Sequence, residues 1–199
     1  MRNYIAILFC FIYLQSNARQ IKVGASRAYK KINVAVNAAL PGDTVIVDSG
    51  LYSEGNIVIN KTICLIGIGF PVIDGGKKTE VLSVKASNAI VRGFKIQRSG
   101  YASLDDPCGI KVYNSNGVII EGNILYDNYF GIYIQYGKHC IIKNNKIIAF
   151  GVEEQQIGNG IHCWKSDSLQ ITGNDISGHR DGIYFEFVTH SIIWRNIKN

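Results

Sequence analysis

From Gly109 to the end of the chain, apolar and polar positions alternate in short runs, and the runs return at fixed intervals. Gly109-Ile110-Lys111-Val112, Gly131-Ile132-Tyr133-Ile134, Gly160-Ile161-His162-Cys163 and Gly182-Ile183-Tyr184-Phe185 align without a gap. An Asn stands fourteen residues after each Gly, at Asn123, Asn145, Asn174 and Asn196. The intervals between glycines are 22, 29 and 22 residues and those between asparagines are the same, so the unit is constant and the additional seven residues form one loop. Each unit holds two runs of β-formers in period-2 alternation, parted by a polar turn such as Asn114-Ser115-Asn116-Gly117, and a third apolar pair such as Ile124-Leu125 follows the Asn. Three short strands per unit describe one coil of a parallel β-helix, and since a lone coil cannot bury its apolar face, coils must stack. The pattern therefore predicts an all-β solenoid of about seven coils, its repeats clearest from residue 109 to residue 197.

Stacking gives the asparagines a role. An Asn repeated in the same turn of successive coils lies about 4.8 Å from its neighbours and can bond to the Asn above and below, so Asn123, Asn145, Asn174 and Asn196 are expected to form a buried ladder. Before the repeats, Ile32, Val36 and Ala39 have helical spacing within Ala28 to Leu40, and Pro41-Gly42 stops the run. A helix there would cap the N-terminal end of the stack. Asp43 to Val47, Ile57 to Ile59 and Ile63 to Ile66 read as strands and Gly50 to Glu54 as a turn. The last ladder Asn is followed by only three residues, so the solenoid is read as truncated at its C-terminus.

Residues 1–18 carry a basic Arg2, an apolar stretch from Tyr4 to Leu14 and the small residues Ser16 and Ala18, the pattern of a signal peptide cleaved after Ala18. The stretch is short of the roughly 20 residues that span a bilayer, so an exported β-helix of residues 19–199 without a membrane span is expected. The net charge of +6 is spread along the chain and lacks the clustered basic face of a nucleic-acid binder. The cysteines left after cleavage, Cys64, Cys108, Cys140 and Cys163, match no zinc spacing. The repeat register places Cys140 and Cys163 in apolar core columns, as small core fillers.

The stretches Pro41-Gly42-Asp43-Thr44-Val45-Ile46-Val47 and Gly50-Leu51-Tyr52-Ser53-Glu54 resemble the start of many pectin-lyase-like β-helices. Pro71-Val72-Ile73-Asp74-Gly75, Gly158-Asn159-Gly160-Ile161-His162-Cys163-Trp164 and Arg180-Asp181-Gly182-Ile183-Tyr184-Phe185-Glu186-Phe187 are more specific, and together they resemble the NosD family of periplasmic copper-binding accessory proteins. The resemblance runs from about Lys30 to the last residue. It implies a right-handed β-helix in the periplasm, work beside an ABC transporter, and a contribution to assembling the copper centre of nitrous oxide reductase. Copper is the metal so implied, and the family supplies no short ligand motif to carry onto this chain.

Alternation of side chains also sorts the coils into faces. Ile110, Ile132, Ile161 and Ile183 point inward with Val112, Ile134, Cys163 and Phe185, while Lys111, Tyr133, His162 and Tyr184 point outward beside Tyr113, Gln135, Trp164 and Glu186. Loops bearing Asp105-Asp106, Asp127-Asn128, Glu153-Glu154 and His179-Arg180-Asp181 stack next to this strip. Two classes of function suit it. As a metal-handling or docking face, the surface strip Tyr133, Trp164 and Tyr184 would adjoin candidate ligands His162, His179, Asp181 and Glu186, whose nitrogen and oxygen donors suit copper(II). As a carbohydrate-active or sugar-binding face, the aromatics would stack sugars while paired carboxylates did acid/base work. The chain lacks a closely spaced carboxylate pair joined to a His-Gly and an Arg-x-Lys on neighbouring coils, so a non-enzymatic accessory role is preferred.

Overall fold

The computed structural model describes residues 18–101, 106–151 and 157–198; the signal-peptide expectation, Asp105 and Glu153-Glu154 fall outside the described residues except at Ala18. Within them the chain is a right-handed parallel β-helix. Its strands form three parallel sheets of eight, seven and six strands, each sheet taking one strand per coil. The first sheet runs from Gln20–Val23 to Ile192–Trp194, the second from Leu51–Tyr52 to Ile197–Lys198, and the third from Ile57–Ile59 to Ile183–Glu186. This matches the seven or so coils expected from the repeat.

The core is the column of inward side chains that the alternation predicts. Ile110, Ile132 and Ile161 pair in register and are fully buried, as are Val112, Ile134 and Cys163 beside them. Ile183 and Phe185 continue these columns in the last described coil and are half-buried. Each enclosed Ile contributes on the order of 2 kcal/mol over an exposed one, and it does so against its neighbours in the coils above and below. The repeating Gly has a steric cause: a Cβ on Gly131 would meet the carbonyl oxygen of Gly160 at 2.4 Å, and one on Gly160 would meet that of Gly182 at 2.7 Å. Only glycine lets the coils approach at this corner.

The ladder forms as expected. Asn145 Oδ1 accepts from the backbone N–H and the Nδ2 of Asn123, at 3.0 and 3.2 Å, and Asn145 repeats both bonds onto Asn174 Oδ1 at 3.0 Å each. Asn174 does the same to Asn196, at 2.9 and 2.8 Å. Asn123, Asn145 and Asn174 are 1% exposed, whereas Asn196 is half-buried because no described coil lies on its other side.

The N-terminal cap is a helix, α1 (Ile32–Ala38), shorter than the Ala28 to Leu40 expected. Its ends are set by tertiary partners. The Glu54 carboxylate accepts from the backbone N–H of Ile32 and Asn33 at 2.7 and 3.0 Å, and Lys61 Nζ donates to the carbonyls of Asn37 and Ala39 at 2.7 Å each. Orphan groups at both helix ends are thereby satisfied, with charges of the sign that the helix dipole favours. Upstream, Tyr29 bridges to Val23, which takes that segment out of the helix. The expected turn at Gly50 to Glu54 contains a short strand, Leu51–Tyr52, because Tyr52 buries its ring in the core and pairs with Ile73.

Candidate functional site

The third sheet carries the outward strip. Its register places Ser83, Lys111, Tyr133, His162 and Tyr184 in one column and Tyr113, Gln135, Trp164 and Glu186 in the next. Ring centroids of Tyr133 and His162 lie 4.6 Å apart, those of His162 and Tyr184 5.2 Å, and Phe130 closes on His162 at 5.2 Å.

Outward does not mean open. Lys111 and Tyr133 are each only 6% exposed, because Phe130 and Cys108 join Tyr133 in a second apolar cluster flanked by Tyr129 and Trp164. Lys111 Nζ lies over the Tyr133 and Tyr113 rings at 4.8 and 5.2 Å. Burial pushes the Tyr133 hydroxyl up to about 12. The solvent-facing part of the strip is therefore half-buried His162, Trp164 and Glu186 with exposed Tyr184. Beyond Trp164 the strip meets Tyr136, ring centroids 4.9 Å apart.

The four candidate metal ligands are not brought together as a donor set. His162 Nδ1 is 3.0 Å from Asn159 Nδ2. His179 is 6% exposed, its Nδ1 bonds the Gly158 carbonyl at 3.2 Å, and its Nε2 is buried without a partner. Asp181 accepts from Arg180 Nε at 3.2 Å. Glu186 stands in the column beside His162 and near enough to act on its proton affinity. Among the described residues no group of three or more His, Cys, Asp or Glu is placed to hold a metal ion. The sequence argument set these residues on neighbouring coils correctly, but could not see that one imidazole turns into the protein and the other is engaged by an amide.

Cys140 and Cys163 are core fillers as expected, 1% and 0% exposed, and burial raises both thiols above the ordinary cysteine value. Cys108 is buried too, which the register argument did not reach. A polar cluster at the N-terminal end of the strip was also missed. Asn56 Nδ2 donates to Glu80 Oε1 at 2.9 Å, Tyr113 Oη donates to Glu80 Oε2 at 2.7 Å, and Ser83 Oγ bonds both Asn56 and Glu80.

Comparison with known proteins bears on this geometry. The family model described as periplasmic copper-binding protein (NosD) matches residues 36–197, which is nearly the whole described solenoid. The chain belongs to the NosD family. A cell surface glycoprotein of Methanothermus fervidus is 26% identical over 145 residues, covering 69% of this chain and 23% of that protein. The chain thus spans about a quarter of the length of that curated relative. Among solved structures, the periplasmic alginate epimerase AlgG shares 13% identity with a TM-score of 0.50, covering 79% of this chain and 44% of its own. Pectin methylesterase PemA of Erwinia chrysanthemi shares 10% identity with a TM-score of 0.48, covering 85% and 80%. The likeness to AlgG is one of fold. NosD is described as copper-binding, yet the described residues do not assemble a copper site: no group of three or more donors converges, and His179 seals its free nitrogen from solvent.

Proposed function

We propose that this NosD-family chain is an extracytoplasmic accessory protein that holds a partner against the exposed end of the strip and catalyses no reaction. The supporting observation is the family match along residues 36–197, combined with an aromatic, half-polar face at His162, Trp164, Tyr184 and Glu186 on that same stretch. Aromatic rings with satisfied polar neighbours are the usual anchors of a recognition surface. The family relation makes the assembly machinery of the nitrous oxide reductase copper centre, including its ABC transporter, the proposed partner. The same relation supports a periplasmic location; no helix among the described residues is long and apolar enough to cross a membrane.

Deleting the gene in its native host tests this directly. The expected result is nitrous oxide reductase with depleted copper, restored by the wild-type chain and restored poorly by a Trp164→Ala, Tyr184→Ala double variant. Unchanged copper content after deletion would sink the proposal. Saccharide binding is the second reading, favoured by Tyr184, 41% exposed, standing in the column beside the Glu186 carboxylate; glycan-array binding that is lost with Tyr184→Ala would support it.

A further inference from the structure

Arg180, Asn159 and His162 form a chain of hydrogen bonds whose direction is set by its first member. A guanidinium has donors and no acceptor, so Arg180 Nη2, at 3.3 Å, must face the carbonyl Oδ1 of Asn159. The amide nitrogen of Asn159 is then the atom 3.0 Å from His162 Nδ1. An amide N–H can only donate, so Nδ1 supplies the lone pair and the ring proton resides on Nε2. Asp181 steadies Arg180 from the other side at 3.2 Å, and Asn159 is fully buried, where it cannot exchange its partners for water. Burial also lowers the proton affinity of His162, with Arg180 and Lys111 acting in the same direction and Glu186 and Asp106 against it, which keeps the ring neutral.

His179 shows the opposite tautomer. A carbonyl can only accept, so the Nδ1 of His179 carries a proton for Gly158, and the lone pair on Nε2 is enclosed. One imidazole therefore turns a proton outward and the other keeps its lone pair inside.

We propose that Asn159 and Arg180 lock His162 in the Nε2–H tautomer, so that it can donate a hydrogen bond but offers no bare nitrogen to a metal ion. A metal takes the bare nitrogen of a neutral imidazole, and here one nitrogen is occupied by an amide and the other by a proton. The lock is read in the isolated chain, so it stands or falls independently of the function proposed above.

Long-range proton–nitrogen correlation spectra of the ¹⁵N-labelled full chain report the tautomer of each histidine, with His162→Gln assigning the signals. The expected pattern is Nε2–H for His162 and Nδ1–H for His179. Asn159→Asp places an acceptor opposite Nδ1 and should move the proton there, leaving Nε2 bare. Cupric ion alone should then broaden the His162 ring signals at about one tenth of the concentration the wild type needs. Because Asn159 is buried, Arg180→Ala provides a second arm on an exposed residue: freeing Asn159 to turn should give a mixture of tautomers and intermediate broadening. A wild-type His162 in the Nδ1–H form overturns the lock. So does copper broadening of wild type at the concentration that suffices for Asn159→Asp, or an Arg180→Ala chain that stays wholly Nε2–H.

Discussion

A left-handed residue precedes each ladder asparagine: Gly122, Asn144, Gly173 and Arg195 have φ of 61°, 54°, 66° and 53°, and Gly93, at 79°, precedes Phe94 in the same corner one coil earlier. The corner between the first and second sheets demands this geometry, and the sequence meets it with Gly or Asn until Arg195. A Cβ on Gly122 would touch nothing within 4 Å, so Gly122→Ala should cost only the backbone penalty of about 1 kcal/mol. Gly173→Ala should cost about the same, since the atom its Cβ would crowd at 2.6 Å, Asn144 Oδ1, ends an exposed side chain that can turn away. Urea unfolding of the two variants checks this, and a clearly larger loss at Gly173 would show that Asn144 does not yield. His179 offers a second test. Burial holds it at about 4, against an ordinary 6.5. The unfolded chain takes up a proton near 6.5 that the folded chain refuses until about 4. The associated stability is therefore complete above that window and declines as pH falls through it, by roughly 3 kcal/mol. His179→Gln should flatten that decline in urea titrations between the two pH limits; an unchanged slope would assign it to other groups. Individual residues were where the sequence was least legible. Spacing located His162 and Asp181 on adjoining coils, but whether a ring nitrogen is bare depends on Asn159 and Arg180, and no periodicity reports that.

The ladder is the element that joins coil to coil outside the sheets. Asn145→Ala would strip Asn123 of its backbone and side-chain acceptor and leave the Ile120 carbonyl, bonded at 3.0 Å by Asn145 Nδ2, without its donor. With buried groups losing partners at about 1 to 3 kcal/mol each, the variant should lose at least about 2 kcal/mol in equilibrium unfolding. A loss below about 0.5 kcal/mol would mean that water or a backbone shift repairs the gap. The ladder, the third-sheet columns and the core cysteines at 140 and 163 were legible because one interval, 22 residues, recurs with a single fixed insertion. The first coils were not. There Ile57 pairs with Leu82 and Leu82 with Ile110, so the spacing is 25 and then 28 residues. With no constant interval the outward column could not be followed back from Lys111 to Ser83, and the cluster of Asn56, Glu80 and Tyr113 stayed hidden. The same irregularity hid the partners that trim α1: Glu54 and Lys61 reach its ends from coils whose phase the repeat does not set.

Across the whole molecule, every sheet is parallel and its hydrogen bonds point from one coil to the next, along the stack. A pull applied to the two ends of the described solenoid would load those bonds lengthwise and peel the molecule one coil at a time. Each nearest-neighbour contact would fail in turn, as in other one-dimensional repeat arrays. A released coil of 22 residues adds about 75 Å of extended chain and the 29-residue coil about 100 Å, at roughly 3.4 Å per residue. Optical-tweezers traces should therefore show a staircase in which the tread between Gly131 and Gly160 is longer than the 22-residue treads on either side, with a second long tread of 28 residues between Leu82 and Ile110. A single rip releasing all coils together would mean that the ladder and the core couple them too strongly for independent failure. If the staircase appears, the seven-residue insertion works as a graduation on a ruler, reporting from which end the protein comes apart.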